Sequence, residues 1–394
     1  MQRKRVLVAH PYLDASGGGN VVAAWALEAL RDEFDVTLAT LGTVDYSTLN
    51  RNFATSLRLG DFAVRVAPLP YQTVLRCLPT AGALWQICLT MRWAQDLGRR
   101  EHFAVLLSTQ NEMDFKRPGL QYVHFPWVFL PRPDIELRWF HRIPGILAAY
   151  RGACRLAARS SNEGLRRNLS LANSAFVAGK IKEVHGRESP ILYPPVPGDF
   201  PDVPWEQKRP SMVAAGRMKP CKRWERAVDI VDRVRRAGVN LDFTLISHRD
   251  DPHYGRRIAA LAESRPWFRI LWDLSRKQLT QEMASCRYGI HNMEDEHFGI
   301  AVAEMLRGGV IPFVHDSGGP VEIVGGREEL RFREADEAVR KICAVVVSPT
   351  LEQDIRGFLC ERRDLFTTAR FCERLRALVR DFPDGWRPPT RTAQ

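Results

Sequence analysis

Arg5-Val-Leu-Val-Ala-His10, Gly17-Gly-Gly19, Asn20-Val-Val-Ala-Ala-Trp-Ala-Leu-Glu-Ala-Leu30 and Asp35-Val-Thr-Leu-Ala-Thr40 form the stretch on which the fold turns. The first run is short and apolar and reads as a buried strand. The three glycines follow after a brief loop. Val21, Val22, Trp25, Ala26, Ala29 and Leu30 then recur at helical spacing, and Asp35–Thr40 reads as a second strand. Strand, glycine loop, helix and strand open a parallel α/β sheet, because parallel neighbours need a crossover between them.

The pattern returns in the second half. Ser211–Ala215 is strand-like and ends at Gly216-Arg217, a helix is expected from Lys222 to Arg236, and Leu241–Ile246 is a strand. Helices around Gly255–Glu263 and Lys277–Cys286 alternate with strands around Phe268–Trp272 and Tyr288–Asn292. A helix from Phe298 to Arg307 and a strand from Val310 to Val314 follow. This alternation predicts a second parallel sheet. Between the halves lies Tyr193-Pro-Pro-Val-Pro197, with Pro201, Pro204 and Pro210 close behind. Dense proline removes backbone donors and blocks helix, so residue 200 is the expected boundary between domains 1–200 and 201–394. Thr350–Phe382 reads as two helices, which could pack back on the first domain.

The 394 residues are 45% apolar, which excludes a wholly disordered chain. The formal charge of +11 favours anionic partners such as nucleotides, phospholipid surfaces or nucleic acid. No basic patch interleaves with stacking aromatics in the manner of a nucleic-acid module, so no nucleic-acid partner is expected. The cysteines form no C-x-x-C pair, which argues against a structural zinc site and fits a reducing cytosol. The longest hydrophobic stretch, Ala81–Ala94, is interrupted by Gln86, Thr90 and Arg92 and is too short to span a bilayer. The expectation is a cytoplasmic protein, soluble or peripheral at the inner face of the membrane.

Five constellations carry chemistry. Gly17-Gly18-Gly19, between strand and helix, lets a phosphate-bearing ligand approach the backbone at a helix N-terminus. It lacks the G-x-G-x-x-G spacing of a dinucleotide site, and no acid follows the second strand. Arg217 and Lys222, five apart across a strand end and a helix start, suit a diphosphate leaving group. Asn292-Met-Glu-Asp-Glu296-His297-Phe298-Gly299-Ile300-Ala-Val-Ala-Glu304 places one acid before a helix and one inside it. Both carboxylates could accept hydroxyls from a polyol, while free N–H groups around Phe298–Ile300 point at an anion or sugar oxygen. His315-Asp-Ser-Gly318-Gly319-Pro is a further glycine turn at a strand end, where open α/β sheets bind ligands. Gln121-Tyr-Val-His124-Phe-Pro126 ends a strand on a histidine able to reach into a cleft.

Glu296 and Glu304 resemble the E-x7-E signature of retaining glycosyltransferase family 4. His10-Pro-Tyr12 with Gly17-Gly-Gly19, Tyr122-Val-His124-Phe-Pro126, Asn173-Ser174, Leu192-Tyr-Pro-Pro195, His291-Asn-Met with Glu296-His-Phe-Gly-Ile300, and Ser317-Gly-Gly-Pro320 are similar, in that order, to the dolichol-pathway α-1,2-mannosyltransferases. The resemblance implies a GT-B fold, two Rossmann-like parallel-sheet domains facing a central cleft, with the acceptor on the first and the nucleotide-sugar donor on the second. It implies a hexosyl transfer, with GDP-mannose the favoured donor, to a glycan, lipid-linked or small-molecule acceptor. Gly18 and Gly19 would approach the diphosphate. Arg217 and Lys222 would clamp it, Glu296 would contact the transferred sugar, Glu304 the ribose, and the N–H groups around Phe298–Ile300 the sugar and phosphate. His124 would lie near the reacting sugar. No metal and no other cofactor are implied. Two departures stand out: Asn20 where relatives carry an acid, and Ser247-His248-Arg249 where they carry a glycine. A non-catalytic sugar-nucleotide-binding regulator and a sugar-nucleotide epimerase on the same fold remain alternatives.

From Arg132 to Arg187 eleven Lys/Arg face four Asp/Glu. Arg151, Arg155 and Arg159 recur every four residues on one helix face, with Tyr150, Cys154 and Ala158 close to it and Leu147 and Leu156 further round. A basic amphipathic helix of this kind can lie on an anionic membrane.

Overall fold

The structure, a computed structural model, describes residues 3–13, 17–77, 82–126, 145–383 and 386–387. It divides into two compact units, Met1–Pro195 with Thr368–Gln394, and Val196–Thr367.

The first unit holds a parallel sheet of β1 (Arg5–Ala9), β2 (Asp35–Thr40), β3 (Ala63–Val66), β4 (Val105–Ser108), β5 (Leu120–Val123) and β6 (Leu169–Ala172), in the order β3-β2-β1-β4-β5-β6 among the described residues. Side chains alternate across it. Val6 and Val8 join one core with helices Gly18–Leu30, Tyr46–Phe53 and Thr368–Arg380. Leu7 and Ala9 join the other with helices Gly82–Arg100 and Ile146–Ala158. Both faces are covered, so β1 reads as an unbroken apolar run.

The second unit repeats the plan with β7 (Arg209–Ala215), β8 (Asp242–Ser247), β9 (Phe268–Trp272), β10 (Cys286–His291), β11 (Ile311–His315) and β12 (Arg331–Phe332), in the order β12-β11-β10-β7-β8-β9, again parallel. In each unit the order reverses beside the first strand, between β1 and β4 and between β7 and β10. Ligand crevices of open α/β sheets lie at the carboxyl ends of such strands.

Three expectations need correction. The units divide at Pro195/Val196, inside the proline-rich linker, rather than at residue 200. The second domain does not run to 394: the last helix, Thr368–Arg380, belongs to the first unit, in keeping with the expectation that C-terminal helices could pack back on it. Phe371, Leu375 and Val379 fill the core under helix Gly18–Leu30, and Lys4 Nζ donates to the carbonyls of Val379, Arg380 and Phe382 at the helix end. The apolar side of the basic helix also differs. Cys154 and Ala158 are buried in the core with Tyr150 packed against it, and Leu156 is a large apolar side chain that is 80% exposed. Arg132, Arg138 and Arg142 of the basic belt lie outside the described residues. Among the described residues no helix is long and apolar enough to cross a membrane.

Candidate active site

In the second unit the site is built on the carboxyl ends of β7 and β10. After β7 the chain passes through Gly216 and exposed Arg217, then makes a short 3-10 turn, Pro220–Lys222. The helix expected from Lys222 begins only at Trp224, because Arg223 adopts a left-handed conformation, φ 52°. That break aims Lys222 and Arg223 at two different acids. The Lys222 ammonium donates to the Glu296 carboxylate, and Arg223 Nη2 donates to Glu294 at 2.8 Å. Buried His291, the last residue of β10, places its Nε2 3.4 Å from the same Glu296 oxygen.

Electrostatics sort these groups by charge. Burial alone would raise the Glu296 carboxyl, but Lys222 and His291 overcome it and hold the group well below the usual carboxylate range. Burial lowers His291, partly offset by Glu296, and burial likewise lowers His297. Both imidazoles are therefore neutral at pH 7, while Glu296 is an anion beside a lysine.

Helix Ile300–Arg307 starts two residues later than expected, with Gly299 at φ 96° as its cap. The first turn bonds Val302 N to Gly299 O at 2.9 Å, so the N–H groups of Ile300 and Ala301 precede the ladder. The Phe298 side chain is core, tilted against Phe366. Glu304 is buried inside this helix and ion-paired with Arg276 Nη1 at 2.5 Å. Any ribose contact by Glu304 has to share that carboxylate with Arg276.

The glycine turn after β11 serves this loop. Gly319 N donates to Glu296 O at 2.8 Å, and Asp295 N donates to Ser317 Oγ at 2.8 Å. The same turn holds His315, whose Nε2 lies 3.6 Å from Glu294 and whose Nδ1 meets Ser317 Oγ at 2.9 Å. Expected as a ligand turn, it braces the acids. Residue type and spacing in the sequence give no role to Arg223, Glu294, His291 or His315. The left-handed Arg223 has no sequence signal, whereas His291 was visible as a polar residue closing an apolar strand.

Ser247-His248-Arg249 occupies the end of β8. Ser247 Oγ donates to Gly216 O at 2.8 Å, and the exposed Arg249 lies over Trp272 at 4.8 Å. The loop therefore steadies the Gly216 turn through a side-chain hydroxyl.

In the first unit the corresponding strand ends gather the other expected residues. Gly17, φ 88°, caps helix Gly18–Leu30. A Cβ on Gly19 would lie 2.8 Å from Gln110 Oε1 and 3.6 Å from His124 Nε2, so the glycine turn and His124 share one neighbourhood. His124 Nε2 meets Thr109 O at 3.0 Å. Its backbone is held by Asn111 Oδ1, which accepts from His124 N and Phe125 N, and by Asn173 Nδ2, which donates to its carbonyl. Asn20 pairs with His10 Nε2 at 2.7 Å, and His10 Nδ1 meets Thr109 Oγ1 at 2.9 Å. Burial drives the His10 pKa down to about 4, so this imidazole is neutral.

Residues 197–356 match the family model of the glycosyl transferases group 1. The chain is 42% identical over 59 residues to the GDP-Man:Man(3)GlcNAc(2)-PP-Dol alpha-1,2-mannosyltransferase of Dictyostelium discoideum, a match covering 15% of this chain and 12% of that protein. It is 21% identical over 372 residues to the Caenorhabditis elegans protein of the same name, covering 80% and 77%. The matches span 12%, 38% and 35% of the length of three such relatives. The sucrose-phosphate synthase of Thermosynechococcus elongatus superposes with a TM-score of 0.67 at 13% identity, over 96% of this chain and 99% of that one. Residues 197–356 are thus similar to the glycosyl transferases group 1 model, in a chain of the GT-B fold.

Proposed function

We propose that the chain is a retaining, family 4-type glycosyltransferase that moves a hexose from a nucleotide-diphospho-sugar to a hydroxyl of a glycan, glycolipid or other acceptor. The Lys222–Glu296 couple at the N-terminus of helix Ile300–Arg307 carries this reading. It sets a cation, a fixed carboxylate and unbonded helix N–H groups around one strand end. Charge develops on the leaving diphosphate as the glycosidic bond to phosphate breaks. Arg217, Lys222 and the helix N-terminus meet that charge, and Glu296 accepts from sugar hydroxyls. In this reading Glu304 serves the ribose, His297–Ile300 serve the sugar and phosphate through their backbone, and Gly18, Gly19 and His124 serve the diphosphate and the reacting sugar. The relatives named for GDP-Man favour mannose as the transferred sugar. No metal is required, since protein cations carry the countercharge.

The test incubates the purified chain with GDP-, UDP- and ADP-sugars and a lipid-linked or simple glycoside acceptor. Product forms only when acceptor is present, the anomeric configuration is retained by NMR, and EDTA leaves the rate unchanged. An altered free sugar without acceptor would identify an epimerase, and tight donor binding without turnover a regulator.

The same reading puts the protein at the inner face of an anionic membrane, supported by Leu156, 80% exposed beside exposed Arg155 and near Arg159 on helix Ile146–Ala158. Cosedimentation with phosphatidylserine vesicles is expected at low salt and is lost at about 0.5 M salt, where the Debye length shortens to a few ångströms. Leu156→Glu weakens it. Failure to sediment at any salt removes the membrane contact.

A further inference from the structure

The second unit has a cavity of about 380 Å³ at the end of the sheet opposite the site above. It opens where the chain enters β7 and β11, beside Lys208 and Ile311, whereas Arg217, His291 and Glu296 follow the carboxyl ends of the strands. Three of its lining residues are cations, Lys208, Arg356 and Arg363, against one acid, Asp202.

Lys208 has a structural task. Its buried ammonium donates to the carbonyls of Ala284 and Gly308, the latter at 2.7 Å, and so caps the ends of two helices. The arginines have no such explanation. Arg356 lies over Trp205 at 4.4 Å, and the Nε of Arg363 has no hydrogen-bond partner among the described residues. Neither forms an ion pair among the described residues, although most arginines of this unit do. The chain turns at Gly309, φ 68°. A Cβ there would lie 3.6 Å from Lys208 Nζ and closer still to Arg363 Nη2, so both cations converge on a point that any other residue would fill. Burial, then the like charges of Arg363 and Arg356, push the Lys208 ammonium down to about 8. The neighbourhood is short of negative charge.

We propose that this cavity is an oxyanion site for a small compound bearing a phosphate or carboxylate group, gripped by Arg363 and Lys208 beside Gly309 and flanked by Arg356. Guanidinium forks suit the planar or tetrahedral oxygens of such groups, and the apolar floor at Leu306 and Leu359 admits a carbon skeleton. The site is independent of the reading of the donor site.

Cys360 lines the cavity and is exposed, which gives a local probe. Its alkylation by iodoacetamide is followed by mass spectrometry in the full-length chain. Inorganic phosphate or citrate at about 20 mM slows it about fivefold if Kd is about 5 mM, since the free fraction is the reciprocal of 1 + [L]/Kd. Cys343 keeps its rate. Protection survives Lys222→Ala and is lost in Arg363→Gln and in Arg356→Gln, each checked for native circular dichroism. Protection by phosphate alone assigns a phosphate ester, by citrate alone a carboxylate, and either supports the site. An unchanged Cys360 rate with both anions overturns it, as does undiminished protection in both arginine variants. Should a variant not fold, the wild-type titration decides by itself.

Discussion

Lys222→Ala is expected to lower kcat by about 10²–10³ while destabilising the fold by no more than about 2 kcal/mol. The asymmetry follows from where the pair sits. Both side chains keep a share of solvent, 18% for Lys222 and 17% for Glu296, so losing the lysine does not strand a fully buried anion. The neutral His291 imidazole also remains 3.4 Å from the Glu296 carboxylate, so the anion keeps a polar neighbour. In turnover, by contrast, the ammonium stands where the diphosphate gains charge, and solvent does not replace a preorganised cation.

The pH dependence of the same variant is a sharper readout. The folded-state pKa of Glu296 is depressed, so its stabilising contribution is present above the unfolded carboxylate value and is lost as pH falls through the lower folded value. Removing Lys222 deletes the largest force lowering that pKa and leaves burial, which raises it. The acid limb of kcat/KM therefore moves to higher pH in Lys222→Ala, and Glu296→Gln abolishes that limb while keeping a hydrogen-bonding side chain. Initial rates across pH, paired with urea unfolding, check both. Turnover and stability falling together in proportion would reduce the pair to a structural bridge.

Much of the fold was legible because parallel strands buried on both faces leave apolar runs at nearly fixed intervals. β9 was read to the residue, and β7, β8, β10 and β11 within two. β3 was not, because Ala63–Val66 is only half-buried and contains Arg65, and two-residue β12 carries no period. That a C-terminal helix could return to the first domain was open in the sequence, but that helix Thr368–Arg380 does so was not fixed there, for another reason. Its apolar stripe specifies that one face is buried but not which core receives it. The site divides similarly. Lys222 and Glu296 stood out by residue type and order, and the resemblance singled out Glu296 from three consecutive acids. How Arg223 and His315 share Glu294, and how Arg276 reaches Glu304 from 28 residues upstream, are products of loop geometry that no periodicity encodes.

Gly319→Ala is expected to cost about 2–4 kcal/mol and to lower kcat at least about 10²-fold, with Gly318→Ala at least as severe. A Cβ on Gly319 would lie 2.5 Å from Phe298 Cα and 2.6 Å from His297 O. On Gly318 it would collide with the Glu296 carbonyl and stand 2.8 Å from the Glu296 nitrogen. These neighbours are backbone atoms and cannot swing aside, so the relaxation must push the Glu296 loop off the turn. That also stretches the hydrogen bond from Gly319 N and moves the carboxylate away from Lys222. Conformational strain alone does not account for the effect. Gly326 has nearly the same φ as Gly318, 71° against 75°, yet a Cβ there meets nothing within 4 Å. Gly326→Ala should therefore cost only about 1–2 kcal/mol for its left-handed backbone and leave kcat intact. Comparing the unfolding midpoints and initial rates of the three variants separates contact from conformation. If Gly318→Ala and Gly319→Ala behaved like Gly326→Ala, the brace would be immaterial, and the position of Glu296 would have to be fixed by Lys222 and His291 alone.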